Sequence, residues 1–174
     1  MLSAKLKSGH LGFTLVELMI GITIMAILLG VAIPSFKVWI TNTRIRTTAE
    51  SVASGLQRAR AEAVARNTNV SFVLGTGTNW TVNVVNPASV IESRYSAEGS
   101  TGVTTTVSPT NATTITFNNL GGILATNADA SAPFTQVDFA AAGGNKNLRV
   151  VLGLGGVTRM CDPSLASGSS PAAC

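Results

Sequence analysis

A chain of 174 residues in which only 11% are charged has room for one modest soluble domain beside a single membrane-length segment, which excludes a polytopic membrane protein. The net charge of +4 overstates its basicity, because without Lys5 and Lys7 ten cations face eight anions, a weak signal for any polyanionic partner. The single histidine, His10, precedes the apolar segment, so the chain beyond it lacks a His for a catalytic triad or a zinc site, although Ser/Lys or carboxylate-pair chemistry is not excluded on that ground.

Residues 1–12 form a short basic leader ending in Gly12, and apolar or weakly polar residues then run from Phe13 to Ile33. At roughly 1.5 Å per helical residue that run reaches about 31 Å, enough to cross a bilayer core. In a secretory signal the small-residue cleavage site follows the apolar stretch, whereas here Gly12 precedes it. Cutting after Gly12 removes the leader and leaves the hydrophobic helix on the mature chain; the alternative is an uncut anchor. Lys5 and Lys7 orient the N-terminus to the cytoplasm under the positive-inside rule, a bias weakened by Lys37, Arg44 and Arg46 beyond the segment. Glu17 is the single charge inside the run, and nothing in the chain is expected to supply it with a partner. An ionisable residue at such a place costs a few kcal/mol and is functional by default.

Pro34 follows the apolar run and removes one helix hydrogen bond, which predicts a kink in a helix that continues rather than ends. The periodicity resumes: Ile45, Ala49, Val52, Leu56, Ala59 and Ala63 form one stripe at helical spacing, with Arg44, Thr47, Ser51, Arg58 and Glu62 on other faces. Three alanines make that stripe suited to close packing on a sheet. Asn67-Thr68-Asn69 ends the pattern, so residues 34–69 are read as an amphipathic continuation of the helix; from Phe13 to Arg66 a continuous helix would be about 80 Å long.

Residues 70–174 read as a β-rich domain. Candidate strands are 70–74, 80–85, 90–95, 103–107, 113–118, 134–139 and 148–154, not all of which are expected to form. Gly75 to Asn79 reads as a hairpin connection, Asn86-Pro87 as a break, residues 120–132 as a long loop, and the small-residue tail as another. Trp39 is read as an interfacial anchor, Trp80 as sheet core and Tyr95 as sheet surface. The two cysteines, Cys161 and Cys174, both lie in the tail, where an oxidising compartment favours a disulfide worth about 3 kcal/mol; two thiols, or pairing of Cys174 with another molecule, are the alternatives. Gly153-Leu154-Gly155-Gly156 lacks the spacing of a phosphate-binding loop.

Gly12-Phe13-Thr14-Leu15-Val16-Glu17-Leu18-Met19, the apolar run and Pro34 together resemble the N-terminus of class III-signal prepilins, the superfamily of type IV pilins and type II secretion pseudopilins. The segment from Thr47 to Val64 is similar to the GspH/FimT group of pseudopilins and minor pilins. The resemblance implies an α+β, pilin-like fold, with a long N-terminal helix packed by its second half on an antiparallel sheet. It implies cleavage between Gly12 and Phe13 by a prepilin peptidase, N-methylation of Phe13, and storage in the inner membrane with the C-terminal domain in the periplasm. It also implies assembly with other pilin or pseudopilin subunits through the helix, no cofactor and no metal. In a staggered filament the new amine of Phe13 would meet Glu17 of a neighbour, offsetting the burial cost of both charges.

Some minor pilins of this group bind DNA through a C-terminal Gly-Arg-x-Arg motif. Here Gly156-Val157-Thr158-Arg159 lacks the first arginine, and Lys146, Arg149 and Arg159 are the cations that could form a small patch. Three function classes therefore stand at this point: a filament subunit of a secretion pseudopilus or a type IV pilus, a tip-located DNA-binding pilin, and a membrane-anchored extracytoplasmic enzyme.

Overall fold

The computed structural model describes residues 12–153 and 155–174, so the leader before Gly12, with Lys5, Lys7 and His10, and the strand end expected at Leu154 lie outside the described residues. The chain divides into two compact units at Lys37/Val38. One helix, α1 (Leu15–Ala65), passes through that division and through Pro34, so the proline does not terminate it.

In the first unit the helix is apolar on every side. Phe13, Leu18, Ile22, Met25, Leu28 and Val31 are all more than half exposed, and among the described residues α1 is the helix long and apolar enough to cross a membrane. A helix hydrophobic all round needs an apolar environment. Thr23 donates its hydroxyl to the Met19 carbonyl at 2.7 Å, which satisfies that polar group within the helix itself.

In the second unit the same helix becomes one-sided. Ile45, Ala49, Val52, Leu56, Ala59 and Ala63, the stripe predicted from spacing, are fully buried, and Thr48 and Gly55 join them. The helix stops by a Schellman arrangement: Thr68 N–H donates to Ala63 O at 3.1 Å and Asn67 N–H to Val64 O at 3.2 Å, with Asn67 at φ 51°. It ends at Ala65, one residue short of Arg66 and just ahead of the Asn67-Thr68-Asn69 break read from the sequence.

Two antiparallel four-stranded sheets complete this unit, where the sequence suggested one. The strands are β1 (Val70–Leu74), β2 (Trp80–Val84), β3 (Ser89–Arg94), β4 (Val103–Ser108), β5 (Thr114–Phe117), β6 (Gln136–Ala141), β7 (Leu148–Leu152) and β8 (Thr158–Cys161). The first sheet has the order β3-β2-β1-β5 and the second β4-β6-β7-β8. All seven candidates formed, contrary to the expectation that some would not, and β8 is an addition. Thr158-Arg159-Met160-Cys161 carries no β-branched run and follows a glycine cluster, so it shows little strand signal until it pairs with β7.

The core joins the helix stripe to both sheets through Phe72, Trp80, Phe117, Phe134 and Phe139. Phe72 stacks on Trp80 with ring centroids 5.5 Å apart, and Trp80 Nε1 donates to Ser51 Oγ of α1 at 3.1 Å, so the predicted core tryptophan has its polar atom satisfied. Tyr95 is exposed, as read from sequence.

The two sheets meet where the loop after β5 touches the β7–β8 hairpin. A Cβ on Gly156 would lie 2.5 Å from Gly121 O, and both glycines have positive φ. Arg60 of α1 donates to that same Gly121 carbonyl at 3.0 Å and holds the junction to the helix.

The expected loop over residues 120–132 has a structural task. Strand β5 is a sheet edge, and the Asn127 side chain pairs with it as a strand would, accepting from Thr116 N–H and donating to Thr114 O, both at 2.8 Å.

Candidate functional site

The N-terminal end of α1 is built by four residues. Gly12 and Phe13 are exposed, Phe13 by 91%, so the peptide between them is accessible. Thr14 and Glu17 then form a reciprocal cap: Thr14 N–H donates to Glu17 Oε2 at 3.0 Å, and Glu17 N–H donates to Thr14 Oγ1 at 3.2 Å. The Thr14 hydroxyl also donates to Oε2 at 2.9 Å. This is the capping box that Ser/Thr followed three residues later by Glu produces, and it satisfies two otherwise orphaned donors at the helix start.

The reading of Glu17 as lacking a partner within its own chain is thereby corrected. Its partner is a neutral hydroxyl and an amide, not a countercharge. The signal is present in the sequence as Thr14-Leu15-Val16-Glu17, a threonine followed three residues later by a glutamate. A carboxylate near a helix N-terminus is also favoured by the helix dipole.

The tail forms the second feature. Cys161 and Cys174 are disulfide-bonded with Cα atoms 5.1 Å apart, which settles the alternatives left open by the sequence. The closure is reinforced by backbone bonds, Asp162 N–H to Ala172 O at 2.7 Å and Cys174 N–H to Asp162 O at 3.4 Å, which return the chain end alongside β8. Asp162 accepts from the Ser164 hydroxyl at 2.5 Å and the Ser164 amide at 2.9 Å. These bonds hold its carboxyl below the usual range, with a smaller contribution from the Lys146 charge.

The three suggested DNA cations lie on the β6–β7 connection, β7 and β8 of the second sheet and are differently engaged. Arg149 makes a two-point pair with Asp138, Nε to Oδ1 at 2.5 Å and Nη2 to Oδ2 at 3.1 Å, across the β6–β7 register. That pairing raises the arginine's affinity for its proton and matches its charge locally. Arg159 Nη2 donates to the carbonyls of Ala173 at 2.6 Å and Pro171 at 3.2 Å, fastening the tail. Lys146 is exposed in the β6–β7 connection. Asp138 was the residue missing from the sequence reading, because a partner 11 positions away is set by strand register.

Residues 48–156 match the family model of the type II transport protein GspH, and residues 7–33 match the prokaryotic N-terminal methylation motif. A search of curated proteins returned no significant match. Among solved structures, the type IV minor pilin FimU of Pseudomonas aeruginosa has a similar fold in two crystal forms. One superposes with a TM-score of 0.53 at 18% identity, covering 74% of this chain and 96% of FimU. The other gives 0.51 at 18% identity, covering 71% and 98%.

Proposed function

Since this chain belongs to the family of the type II transport protein GspH, we propose that it is a minor pilin or pseudopilin subunit that primes a short filament or joins it near the tip. Its methylation motif and apolar N-terminal helix fit a single-pass inner-membrane anchor. The observation that carries the proposal is the sequence of features at one helix end: an accessible Gly12–Phe13 peptide, a cap between Thr14 and Glu17, and an apolar helix exposed on all sides.

In this reading the peptidase cuts after Gly12, Phe13 is methylated on its new amine, and the C-terminal domain lies in the periplasm. Other subunits then supply the apolar surroundings that the bilayer supplied before assembly. The Phe13 amine of one subunit meets Glu17 of the next, and each charge offsets the burial cost of the other. The filament is that of a type II secretion pseudopilus or a type IV pilus. Recognition is by side-to-side helix packing, and the protein acts by assembly rather than by catalysis.

The experiment is mass spectrometry of membrane-extracted protein from cells with and without the prepilin peptidase, together with cross-linking to filament subunits. The expected result is a mature chain beginning at methylated Phe13 that cross-links through its helix. An intact Met1 in the presence of the peptidase would overturn the reading. DNA binding at the tip is less favoured as an alternative, because Arg149 is matched by Asp138 and Arg159 is committed to the tail.

A further inference from the structure

A cleft of about 490 Å³ opens at the start of the second unit, bordered by Trp39 and Arg46 of α1, Lys146, Asp162, and the apolar side chains of Leu148 and Met160. We propose that this cleft holds the head group of an aminophospholipid from the membrane in which the subunit is anchored, the phosphate facing Lys146 and the ammonium facing Asp162. The inference rests on the anchored reading above and adds a ligand to it.

Position supplies the first argument. Trp39 lies six residues beyond Ile33, the last residue of the apolar run, so chain reach alone keeps it within about 20 Å of that run, whatever the disposition of the two units. The cleft containing Trp39 is therefore held near the membrane surface for as long as the helix stays in the bilayer. Trp39 is 60% exposed, and an exposed indole ring next to a membrane-length apolar run suits the head-group region.

Charge supplies the second. The Ser164 hydroxyl and amide both donate to Asp162 Oδ1, which keeps the carboxylate ionised. Lys146 borders the same cleft, near enough for its charge to act on the Asp162 carboxylate, and Arg46 adds a second cation, paired with Glu50 at 2.8 Å. A zwitterion laid antiparallel matches both signs. A purely anionic head group would bring a like charge against Asp162, and a quaternary choline ammonium could not donate a hydrogen bond to it. The apolar floor of Leu148 and Met160 suits the glycerol end of the lipid better than a free phosphate.

The test uses the full chain reconstituted in phosphatidylcholine vesicles, alone or doped with phosphatidylethanolamine or phosphatidylglycerol, then released in mild detergent for native mass spectrometry of retained lipid. The wild type should retain phosphatidylethanolamine several-fold over the other two, and Lys146→Glu should abolish the difference. Equal retention of all three lipids, preference for phosphatidylglycerol, or unchanged retention in Lys146→Glu would overturn the proposal. Resistance of the same protein to carbonate extraction tests the anchor separately: an integral protein without lipid preference sinks this inference alone, and an extractable one sinks the anchored reading.

Discussion

Gly55 of α1 sits so close to Phe72 of β1 that a Cβ at position 55 would lie 2.8 Å from Phe72 Cε2 and 3.1 Å from the Trp80 ring. The absence of a side chain there lets the helix seat on the aromatic pair. Two opposing effects meet in Gly55→Ala. Alanine gains about 1 kcal/mol of helix propensity over glycine, while overpacking a filled core costs about 1–3 kcal/mol. Because the ring is stacked on Trp80 and edge-on to Phe134, it has little room to retreat, and the cost should win. The expected outcome is a lower melting temperature in detergent, measured by tryptophan fluorescence, since Trp80 reports this contact directly.

The tail is closed by a disulfide and by Arg159, and the two should be separable. The Cys161→Ser/Cys174→Ser variant is expected to lose about 3 kcal/mol of tail stability, from loop closure over a sequence separation of 13. Arg159→Gln should lose less, because Arg159 bonds two carbonyls without closing a loop. Hydrogen exchange at Ala172 to Cys174 is the measurement: rapid exchange in the double serine variant and intermediate exchange in Arg159→Gln.

The helix stripe from Ile45 to Ala63 was legible because its spacing reports burial residue by residue, and the seven strands because β-branched and aromatic runs alternate with turn residues. Strand β8 was not legible. It is short, charged and glycine-preceded, and is a strand because β7 offers it a register. The pairing of Arg149 with Asp138 likewise exists only once β6 and β7 are aligned, so a cation that looked available to phosphate is already matched. Asn127 was hidden for a different reason: a loop asparagine that completes a sheet edge with its side chain leaves no periodic trace. Thr14 is readable as a cap from its three-residue spacing to Glu17, a signal that a single charge in a membrane-length apolar run overshadows.

Glu17 has a capping role within its chain and a proposed charge role between chains, and these can be told apart. Glutamine at the third helical position preserves a capping box, so Glu17→Gln keeps the helix start while removing the charge. Thr14→Ala does the reverse, at a cost of about 1 kcal/mol in the cap. Glu17→Gln should insert normally and enter filaments poorly, whereas Thr14→Ala should assemble nearly as well as wild type. Quantifying each variant in sheared filament fractions decides the matter, and equal incorporation of Glu17→Gln and wild type would reject the charge pairing.

The loop that covers β5 should be acid-sensitive. Asp129 accepts from the Ser131 hydroxyl and amide and from the Thr114 hydroxyl, and these bonds, those to Ser131 foremost, hold its carboxyl below the ordinary value. A carboxylate whose folded pKa is depressed contributes stability above its unfolded pKa, and that contribution is lost as pH falls through the folded value. The window therefore lies below about pH 4. Proteolysis of residues 120–132 by pepsin should rise steeply there in the wild type. In Asp129→Asn cleavage should already be faster than in the wild type at about pH 4 and should change less on further acidification.

The Arg149–Asp138 pair makes the DNA reading testable in the direction opposite to the usual deletion. If Arg149 were available to phosphate, Arg149→Ala would weaken retention on DNA and lower the salt slope by about one. Matched by Asp138 at two points, it should contribute little, and Arg149→Ala should leave retention unchanged. Asp138→Asn keeps the side-chain shape and one acceptor oxygen but releases the charge. That variant should therefore gain affinity for duplex DNA at low salt, with a salt slope steeper by about one. The measurement is fluorescence anisotropy of a labelled duplex against the full chain in detergent over a salt series. A wild type that already binds with the slope of three phosphate contacts, and that weakens on Arg149→Ala, would show that the pair opens on DNA and would restore all three cations as the binding surface.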